Sequence, residues 1–534
     1  MPFPQKELNK ILEQASTIRE RIDTGIILNE AQRDAPLVNF ITEQWCQIVS
    51  EGNWDKFEKR LAWDNLDLSI VRQAFVSVTT NDKQKLPSWI KILNESLKAI
   101  PELHSLKKVN SEIKPFLGYQ TSLPFEEVLL PFIYVGQNKL SVEVGSDYQL
   151  LSDTAHTTLK RSLLTWLIHL CSPSMELEFS VFRASRQSSL ASRVQKISDT
   201  RFQPYYQDFI KYLLAGGLLT FFQEYPVLAR LVAKAIDLWV DAIREFISRL
   251  ALDWVEIQKT FQTETKLGQV TNVQANFFDR HHGGRSVIIV TFASGLKLVY
   301  KPKDIGIEQA YVNLLTWLNN HEVPLPFKLF QVLNRSGYGW VEFIESFPCK
   351  DEEEFKRYYQ RAGMLLCLVY LLDSTDLHHE NIIACGEHPV LIDLETLMHP
   401  WVREVEEIEK NIKGVKFLAN QQIWYSVMRT ALLPQWQFKY QGQAYDASGL
   451  GGVSLKKQPN QQQEADNIIT SIAEDRKATL LNNNLQPKIQ NSNTNVPIPD
   501  ELKLILENYY QDIIDGFQQM YRFLIKHQQE LLAL

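Results

Sequence analysis

The sequence predicts an α+β protein that is mainly helical and contains one region of antiparallel strands. From Leu8 to about Leu252, apolar residues recur at spacings of three and four, which is typical of helices that bury one face. Around Leu267 the pattern changes to short alternating runs separated by glycine-bearing turns, which indicates strands. Helical spacing returns in Phe355 to Leu372 and in Leu502 to Leu532. Two helical regions therefore flank the strands.

Residues 1–265 are predicted to form a helical N-terminal region. Apolar stripes run from Trp54 to Phe75 and from Leu163 to Cys171, and Pro226 suits the first turn of a further helix. Core packing is sufficient to explain these stripes. They identify no site by themselves.

The strands and helices that follow have a recognisable order. An antiparallel meander, a helix, a second hairpin, a polar linker and a helix are predicted at Gln269–Lys301, residues 304–320, Phe327–Ile344, Glu345–Glu354 and Phe355–Leu372. In the second hairpin the predicted strands are Phe327–Val332 and Trp340–Ile344. This is the element order of a kinase small lobe joined to its large lobe, so we expect a small lobe at 266–350 and a large lobe at 351–534.

The end of the chain is less strongly patterned. Ile423–Leu433 is predicted as helical, and Ser448–Gly452 as a flexible glycine turn. Residues 456–496 are rich in Gln and Asn and are predicted to form a long polar loop.

Composition limits the classes of function. The 534 residues exceed what one hydrophobic core usually supports, so two to four domains are expected. The chain has 45% hydrophobic residues, 22% charged residues and a net charge of −7. This composition is typical of a soluble globular protein, and no cluster of basic residues stands out. We therefore expect no nucleic-acid partner.

The cysteines and the N-terminus indicate a cytoplasmic protein. The five cysteines are scattered, with no spacing suited to structural zinc, and are typical of reduced cytosolic thiols. No apolar signal core begins the chain, and the longest apolar runs are too short to span a bilayer. No integral membrane segment is expected.

One stretch, Asp373 to Pro400, concentrates carboxylates and an amide. Two short apolar runs around the turn CGEHP predict a hairpin, which would bring Asp376 and Asn381 near Asp393 and Glu395. Carboxylate and amide oxygens suit Mg²⁺, so the last three residues are candidate metal ligands. Asp376 would then be left as a base for an attacking hydroxyl, as in protein kinases. The alternative is that these residues only cap and cross-link a turn.

Lys301 ends the strand before the predicted helix, where kinases have their phosphate-binding lysine. The alternative for Lys301 is a solvated strand lysine, of which its neighbour Lys303 is an example. Glu308 lies one turn into the helix. It is either the partner of Lys301 or a solvated first-turn acid favoured by the helix dipole.

A second polar cluster follows the first predicted strand. Gly283 and Gly284 permit close approach of the backbone to a phosphate, and Arg285 could pair with one. His281 could act as an acid or base because its ordinary pKa lies near neutrality. The alternative is an ordinary hairpin tip.

Several motifs, in order, resemble those of one enzyme family. TDLHHEN with LIDLETL, the upstream FDRHHGGRSV and LVYKPKD, and the flanking EYPVLARL, TALLPQW and YDASGLGG are similar to the dehydratase domain of class II lanthipeptide synthetases, the LanM-type enzymes. The resemblance implies a lipid-kinase-like two-lobe fold enlarged by a helical region. It also implies ATP- and Mg²⁺-dependent phosphorylation of Ser and Thr in a ribosomal precursor peptide, followed by elimination to dehydroalanine or dehydrobutyrine.

The resemblance also implies roles for individual residues. It makes Lys301 a contact to ATP phosphates, Asp376 the catalytic base and His378 a member of the catalytic loop. Asn381, Asp393 and Glu395 would hold magnesium. Asp279 and His281 match an Asp-x-His pair associated with phosphorylation and elimination in the family.

Two features of the family are not found in the sequence. One is an Arg-x-x-x-Arg-x-Thr segment that assists elimination, and the other is a cyclase domain with Cys and His zinc ligands. These differences predict an incomplete, truncated dehydratase whose remaining segment and cyclase are carried by a separate chain. Two alternatives stay open: a kinase of a lipid or small molecule, and a non-catalytic remnant or binding partner of a split synthetase.

Overall fold

The computed structural model describes residues 5–23, 35–75, 87–109, 123–186, 203–262, 264–275, 280–398, 425–438, 444–451 and 506–533. These residues form two compact units. The first comprises the described residues up to Asp253 together with Gln269–Ser286, and the second comprises Trp254–Gly268 and those from Val287 onward. The division into predicted lobes at residues 350 and 351 stays a prediction.

The first unit is built mainly from helices, as the periodicity predicts. They are α1 Gln5–Ala15, α2 Ile18–Asp23, α3 Ala35–Ser50, α4 Trp54–Trp63, α5 Leu68–Ala74, α6 Ser88–Val109, α7 Glu126–Val144, α8 Asp153–Arg186, α9 Gln203–Tyr212, α10 Leu218–Glu224 and most of α11, Pro226–Phe261. Strand β1, Val270–Ala275, also belongs to this unit and lies along α8, where the Ser152 amide donates to the Val270 carbonyl at 2.9 Å.

Large apolar side chains from several helices form the core of this unit. Among those that are essentially inaccessible to solvent are Trp89, Phe132, Phe222, Trp239 and Phe246. Helices α7, α8 and α11 meet at Gly136, where an added Cβ would lie 3.2 Å from Ile236 and 3.3 Å from Leu163. The absence of a side chain at this position therefore allows the three helices to pack closely.

In the second unit, four antiparallel strands lie side by side. They are β2 Ile288–Phe292, β3 Lys297–Lys301, β5 Tyr338–Glu342 and β4 Val332–Arg335, in that spatial order. Ile288, Val290 and Phe292 alternate into the core, as a strand with one buried face requires. Val290 pairs with Leu298, and Tyr300 pairs with Trp340. The predicted meander is confirmed for the strands of this unit.

The predicted strand Phe327–Val332 is wrong in its bounds, because β4 begins only at Val332. The backbone of Phe327 is bonded to a side chain instead of to a strand. Asn319 Nδ2 donates to the Phe327 carbonyl and the Phe327 amide donates to Asn319 Oδ1, both at 2.8 Å. This pair of bonds ties the segment to the end of the preceding helix.

The helices of the second unit pack around a common core. They are α12 Gly306–Asn320, α13 Glu352–Leu371, α14 Leu506–Lys526 and α15 Gln528–Leu531. Asp351 caps α13 by accepting the Glu354 amide at 2.9 Å. Tyr311, Leu315, Leu365, Met520 and Leu391 are among the buried residues of the core. The predicted helices at these positions are confirmed within the described residues.

Two smaller hairpins complete the described part of the second unit. Strands β6 Ile382–Cys385 and β7 His388–Leu391 form the predicted hairpin, although Cys385, His388 and Pro389, which the sequence predicts as turn residues, lie in the strands. Strand β8 Trp436–Phe438 pairs with β9 Ala444–Asp446. Of the predicted helix Ile423–Leu433, only a 3₁₀ turn at Val427–Thr430 is seen among the described residues. The predicted polar loop 456–496 lies outside them.

The molecule is mainly helical with a small antiparallel sheet, which confirms the α+β class. Among the residues that the structure describes, no helix combines the length and apolar character needed to cross a membrane.

Candidate active site

Lys301 forms a buried ion pair with Glu308. Lys301 is the last residue of β3 and is 6% exposed, while Glu308 in the first turn of α12 is 1% exposed. Lys301 Nζ lies 3.2 Å from Glu308 Oε1 and donates to the Ile392 carbonyl at 2.6 Å. Of the two alternatives for Glu308, the pairing with Lys301 is confirmed and the solvated acid is wrong.

The pair does not use all the hydrogen-bonding groups of its two side chains. An ammonium group has three protons, and the two acceptors use two of the Lys301 protons. Glu308 Oε2 is buried and accepts no hydrogen bond among the described residues. Buried acceptors without a hydrogen-bond partner are uncommon in native proteins, and a binding or catalytic role is one explanation for them.

The β6–β7 hairpin brings Asn381 next to Asp393. Ile382 pairs with Leu391, and the Ile392 amide donates to the Asn381 carbonyl at 3.1 Å. Asp393 follows directly. The predicted proximity is therefore confirmed for the backbones of Asn381 and Asp393.

The loop before β6 holds Asp376 in an unusual backbone conformation. Asp376 has φ of 63°, in the left-handed region, and its side chain is exposed. Asn381 Nδ2 donates to the Asp376 carbonyl at 2.9 Å, and the Asn381 amide donates to the His378 carbonyl at 2.9 Å. These bonds turn the loop back on itself, so Asp376, His378 and Asn381 form one compact turn.

Lys303, which the sequence suggested to be a solvated lysine, pairs with two acids instead. Its Nζ lies 3.1 Å from Asp393 Oδ1 and 2.6 Å from Glu395 Oε2. Burial alone would lower the pKa of Lys303, but its hydrogen bond to Glu395 and the charge of Asp393 outweigh this effect, so its pKa lies above its ordinary value. The ammonium group is therefore held in its charged form.

The donor set would fit a magnesium ion whose remaining ligands are water and phosphate oxygens. Among the described residues, no three His, Cys, Asp or Glu side chains are grouped as a protein-only metal site. Asp393 and Glu395 would supply two carboxylates and Asn381 one amide oxygen. Mg²⁺ usually takes only one or two carboxylates and completes its shell with water and phosphate oxygens. The Lys303 ammonium shows that a cation is already accommodated between the two carboxylates.

The glycine-rich segment predicted as a flexible turn is packed against the loop that holds Asp376 and His378. Ser448 forms an isolated antiparallel bridge with His378, and the His379 amide donates to the Ala447 carbonyl at 3.0 Å. Asp446, 7% exposed, accepts the Ser448 amide at 2.9 Å. An added Cβ at Gly449 would lie 2.6 Å from the Leu377 carbonyl oxygen, so only glycine fits there. The motif DASGLGG was the available signal for this supporting role.

The second predicted cluster lies in the first unit, whereas Lys301, Asp376, Asn381, Asp393 and Glu395 lie in the second. Asp279 is outside the described residues. His281 and Arg285 close a tight turn through backbone bonds of 2.8 and 3.0 Å, with Gly283 and Gly284 in the left-handed region.

Arg285 of this turn has a carboxylate partner. Its Nε and Nη2 bind the Glu245 carboxylate at 2.9 and 2.6 Å, and this hydrogen bonding holds the pKa of Glu245 below its usual range. Gly284 packs on α11, where a Cβ would lie 2.9 Å from that of Leu238. The assignment of these residues to a phosphate stays a prediction.

The site combines a buried lysine–glutamate pair, between a strand and the following helix, with an acidic hairpin. This combination defines a candidate phosphoryl-transfer site. Residues 225–534 match the model of a family described as a domain of unknown function, DUF4135, and the chain belongs to this family.

The chain is also 30% identical over 266 residues to the lacticin 481/lactococcin biosynthesis protein LcnDR2 of Lactococcus lactis subsp. lactis. The match covers 47% of this chain and 27% of the relative, so it spans about a quarter of that protein's length. The match confirms the resemblance to class II lanthipeptide synthetases.

Proposed function

We propose that this chain takes part in lanthipeptide biosynthesis and uses ATP and Mg²⁺ to phosphorylate Ser and Thr side chains of a ribosomal precursor peptide. The observation that carries the proposal is the buried Lys301–Glu308 pair, whose lysine also binds the carbonyl of Ile392, directly before Asp393. Protein kinases require such a strand-lysine to helix-glutamate pair beside their metal-binding aspartate. The similarity to a lacticin biosynthesis protein supports a peptide as the substrate.

Each residue of the site has a role in this proposal. Lys301 directs its remaining proton at the phosphates. Asn381, Asp393 and Glu395 would hold Mg²⁺, which neutralises phosphate charge when bound. Residues 266–350 and 351–534 would form the two lobes of a lipid-kinase-like fold.

Asp376 accepts the proton of the substrate hydroxyl, whose oxygen forms the new bond to the γ-phosphorus while ADP leaves. His378 supports this loop by accepting the Asn381 amide on its carbonyl and the Glu380 amide on its Nδ1, the latter at 3.2 Å. The exposed position of Asp376 suits a base that must meet a separate peptide.

A subsequent elimination step would convert the phosphorylated residues to dehydroalanine or dehydrobutyrine. We assign Asp279 and His281 to this chemistry, with Arg285 and the glycines 283 and 284 as phosphate contacts. Arg285 would then exchange Glu245 for the phosphate, two of whose oxygens can accept the same pair of guanidinium hydrogen bonds. A cytoplasmic location agrees with the use of ATP and a ribosomal peptide.

The test is incubation with ATP, Mg²⁺ and candidate precursor peptides, with the peptide mass as the readout. Asp376→Asn should slow phosphoryl transfer by roughly 10²- to 10⁴-fold, because the base is lost. Asp393→Asn should abolish the transfer, because a metal ligand is lost. Lys297 lies on β3, the strand of Lys301, and forms an exposed ion pair with Glu345. Lys297→Gln removes this pair and should leave the rate unchanged.

The mass change separates the possible outcomes. A gained phosphoryl group shows phosphorylation alone, and loss of water shows that elimination follows. ATP turnover with a lipid or small molecule but not with any peptide would favour the other kinase. No turnover with any substrate would leave only a non-catalytic binding module.

A further inference from the structure

Lys301, the last residue of β3, and Lys303, two residues further along the chain, contact the segment that follows β7. Lys301 binds the carbonyl of Ile392 at 2.6 Å, and Lys303 binds the carboxylates of Asp393 and Glu395 at 3.1 and 2.6 Å. The two side chains differ in their surroundings. The Lys301 side chain is 8% exposed and is held from the other side by Glu308, whereas that of Lys303 is 31% exposed.

The charge balance around Lys303 affects how a metal ion can bind. Asp393 and Glu395 together carry two negative charges, and the Lys303 ammonium balances one of them. A metal ion that arrives alone must displace this ammonium from both carboxylates and leave it without a partner. Two like-charged ions within a few ångströms repel each other strongly at a partly buried site.

A metal ion that arrives with a nucleotide meets a different situation. The phosphates supply new oxygen acceptors, so the displaced ammonium exchanges carboxylate for phosphate. A lysine ammonium is a compact charge on a flexible stem and can make this exchange without movement of the backbone. Because Lys303 is only partly buried, its side chain has room to turn.

We propose that Lys303 is a positioning residue that couples metal binding to nucleotide binding. Without ligand, its ammonium is the counter-ion of Asp393 and Glu395 and weakens the binding of free metal; with nucleotide, it turns to the phosphates. This inference rests on the function proposed above for the same site. Coupling of this kind is reciprocal, so nucleotide and metal strengthen each other's binding.

The test measures binding of Mn²⁺, a spectroscopic substitute for Mg²⁺, by electron paramagnetic resonance with and without a non-hydrolysable ATP analogue. Lys303→Gln should bind free Mn²⁺ at least about tenfold more tightly than the unmodified protein, since the competing charge is gone. The analogue should strengthen Mn²⁺ binding less in this variant than in the unmodified protein. Lys303→Arg keeps the charge and should restore weak binding of free metal.

Lys297→Gln is the matched control because Lys297 lies on β3, which ends two residues before Lys303, and pairs with Glu345 at 2.6 Å. It should change neither affinity. Equal free-metal affinity in Lys303→Gln and the unmodified protein would overturn the inference. If the unmodified protein binds no Mn²⁺ even with the analogue, the proposed phosphoryl transfer fails instead, and the free-metal comparison still decides the role of Lys303.

Discussion

Lys301 and Glu308 place two opposite charges where almost no water reaches them. Such a pair is a weak source of stability, because the loss of hydration offsets most of the attraction between the charges. Apolar side chains would fill the same space at less cost. The pair is therefore better explained by the phosphate-binding role that we propose for its lysine, which also binds the carbonyl of Ile392.

If the Lys301–Glu308 pair serves catalysis and contributes little to stability, substitutions of the pair should separate the two effects. Lys301→Met should lower the free energy of unfolding by about 3–5 kcal/mol, because Glu308 is left as a buried unpaired charge. The double variant Lys301→Met, Glu308→Met should regain most of that loss. Neither variant should phosphorylate peptide. Chemical denaturation and peptide mass spectrometry measure the two effects.

Lys297→Gln serves as the control, since its exposed ion pair should contribute less than about 1 kcal/mol. Recovery of activity together with stability in the double variant would contradict the assigned role of Lys301.

At this scale the sequence identified residues by their type and local position but not by their distant partners. Lys301 and Glu308 are seven residues apart, so strand and helix spacing suggested their contact. Lys303 and Glu395 are 92 residues apart, and no local pattern reports that contact. The support of His378 by Ser448 was missed for the same reason.

Among the elements, helices α13 and α14 cross unusually closely. An added Cβ at Gly363 would overlap the carbonyl oxygen of Ile513, and one at Gly516 would overlap that of Gln360. Each glycine thus lies against the backbone of the other helix. Because α13 leads directly to the loop that holds Asp376, this crossing fixes where the loop begins.

We expect Gly363→Ala and Gly516→Ala each to lower the free energy of unfolding by about 1–3 kcal/mol, because the helices must move apart. The effects should not add in the double variant, since both changes act on one crossing. Denaturant titration gives the values. Gln518→Ala, on the exposed face of α14, should stay within about 0.5 kcal/mol of the unmodified protein. A glycine variant as stable as this control would show that the helices have room.

The elements themselves were largely predictable, and their exceptions have local causes. The β6–β7 hairpin formed as predicted because both apolar runs and the turn residues agree. The strand predicted at Phe327 failed because Asn319 takes both hydrogen-bonding groups of that residue. The alternation of apolar residues does not show that a side chain, and not a neighbouring strand, binds the backbone of Phe327.

For the whole molecule, the two units differ in which of the proposed site residues they contain. The family match covers residues 225–534, and all the residues proposed for phosphoryl transfer lie in the second unit. The first unit has its own core of buried aromatic residues. A chain with two cores can keep one function when the other is disabled, provided that both still fold.

We assign recognition of the precursor's leader peptide to residues 1–265, so leader binding should survive loss of the nucleotide site. The full chain carrying Lys301→Met with Glu308→Met should retain an immobilised leader peptide as well as the unmodified chain does, while phosphorylating none of its core. A scrambled leader should not be retained, which controls for nonspecific adsorption. If the unmodified chain turns over ATP but retains no leader, a ribosomal peptide is the wrong substrate, and the kinase of a smaller molecule becomes the better explanation of the same site.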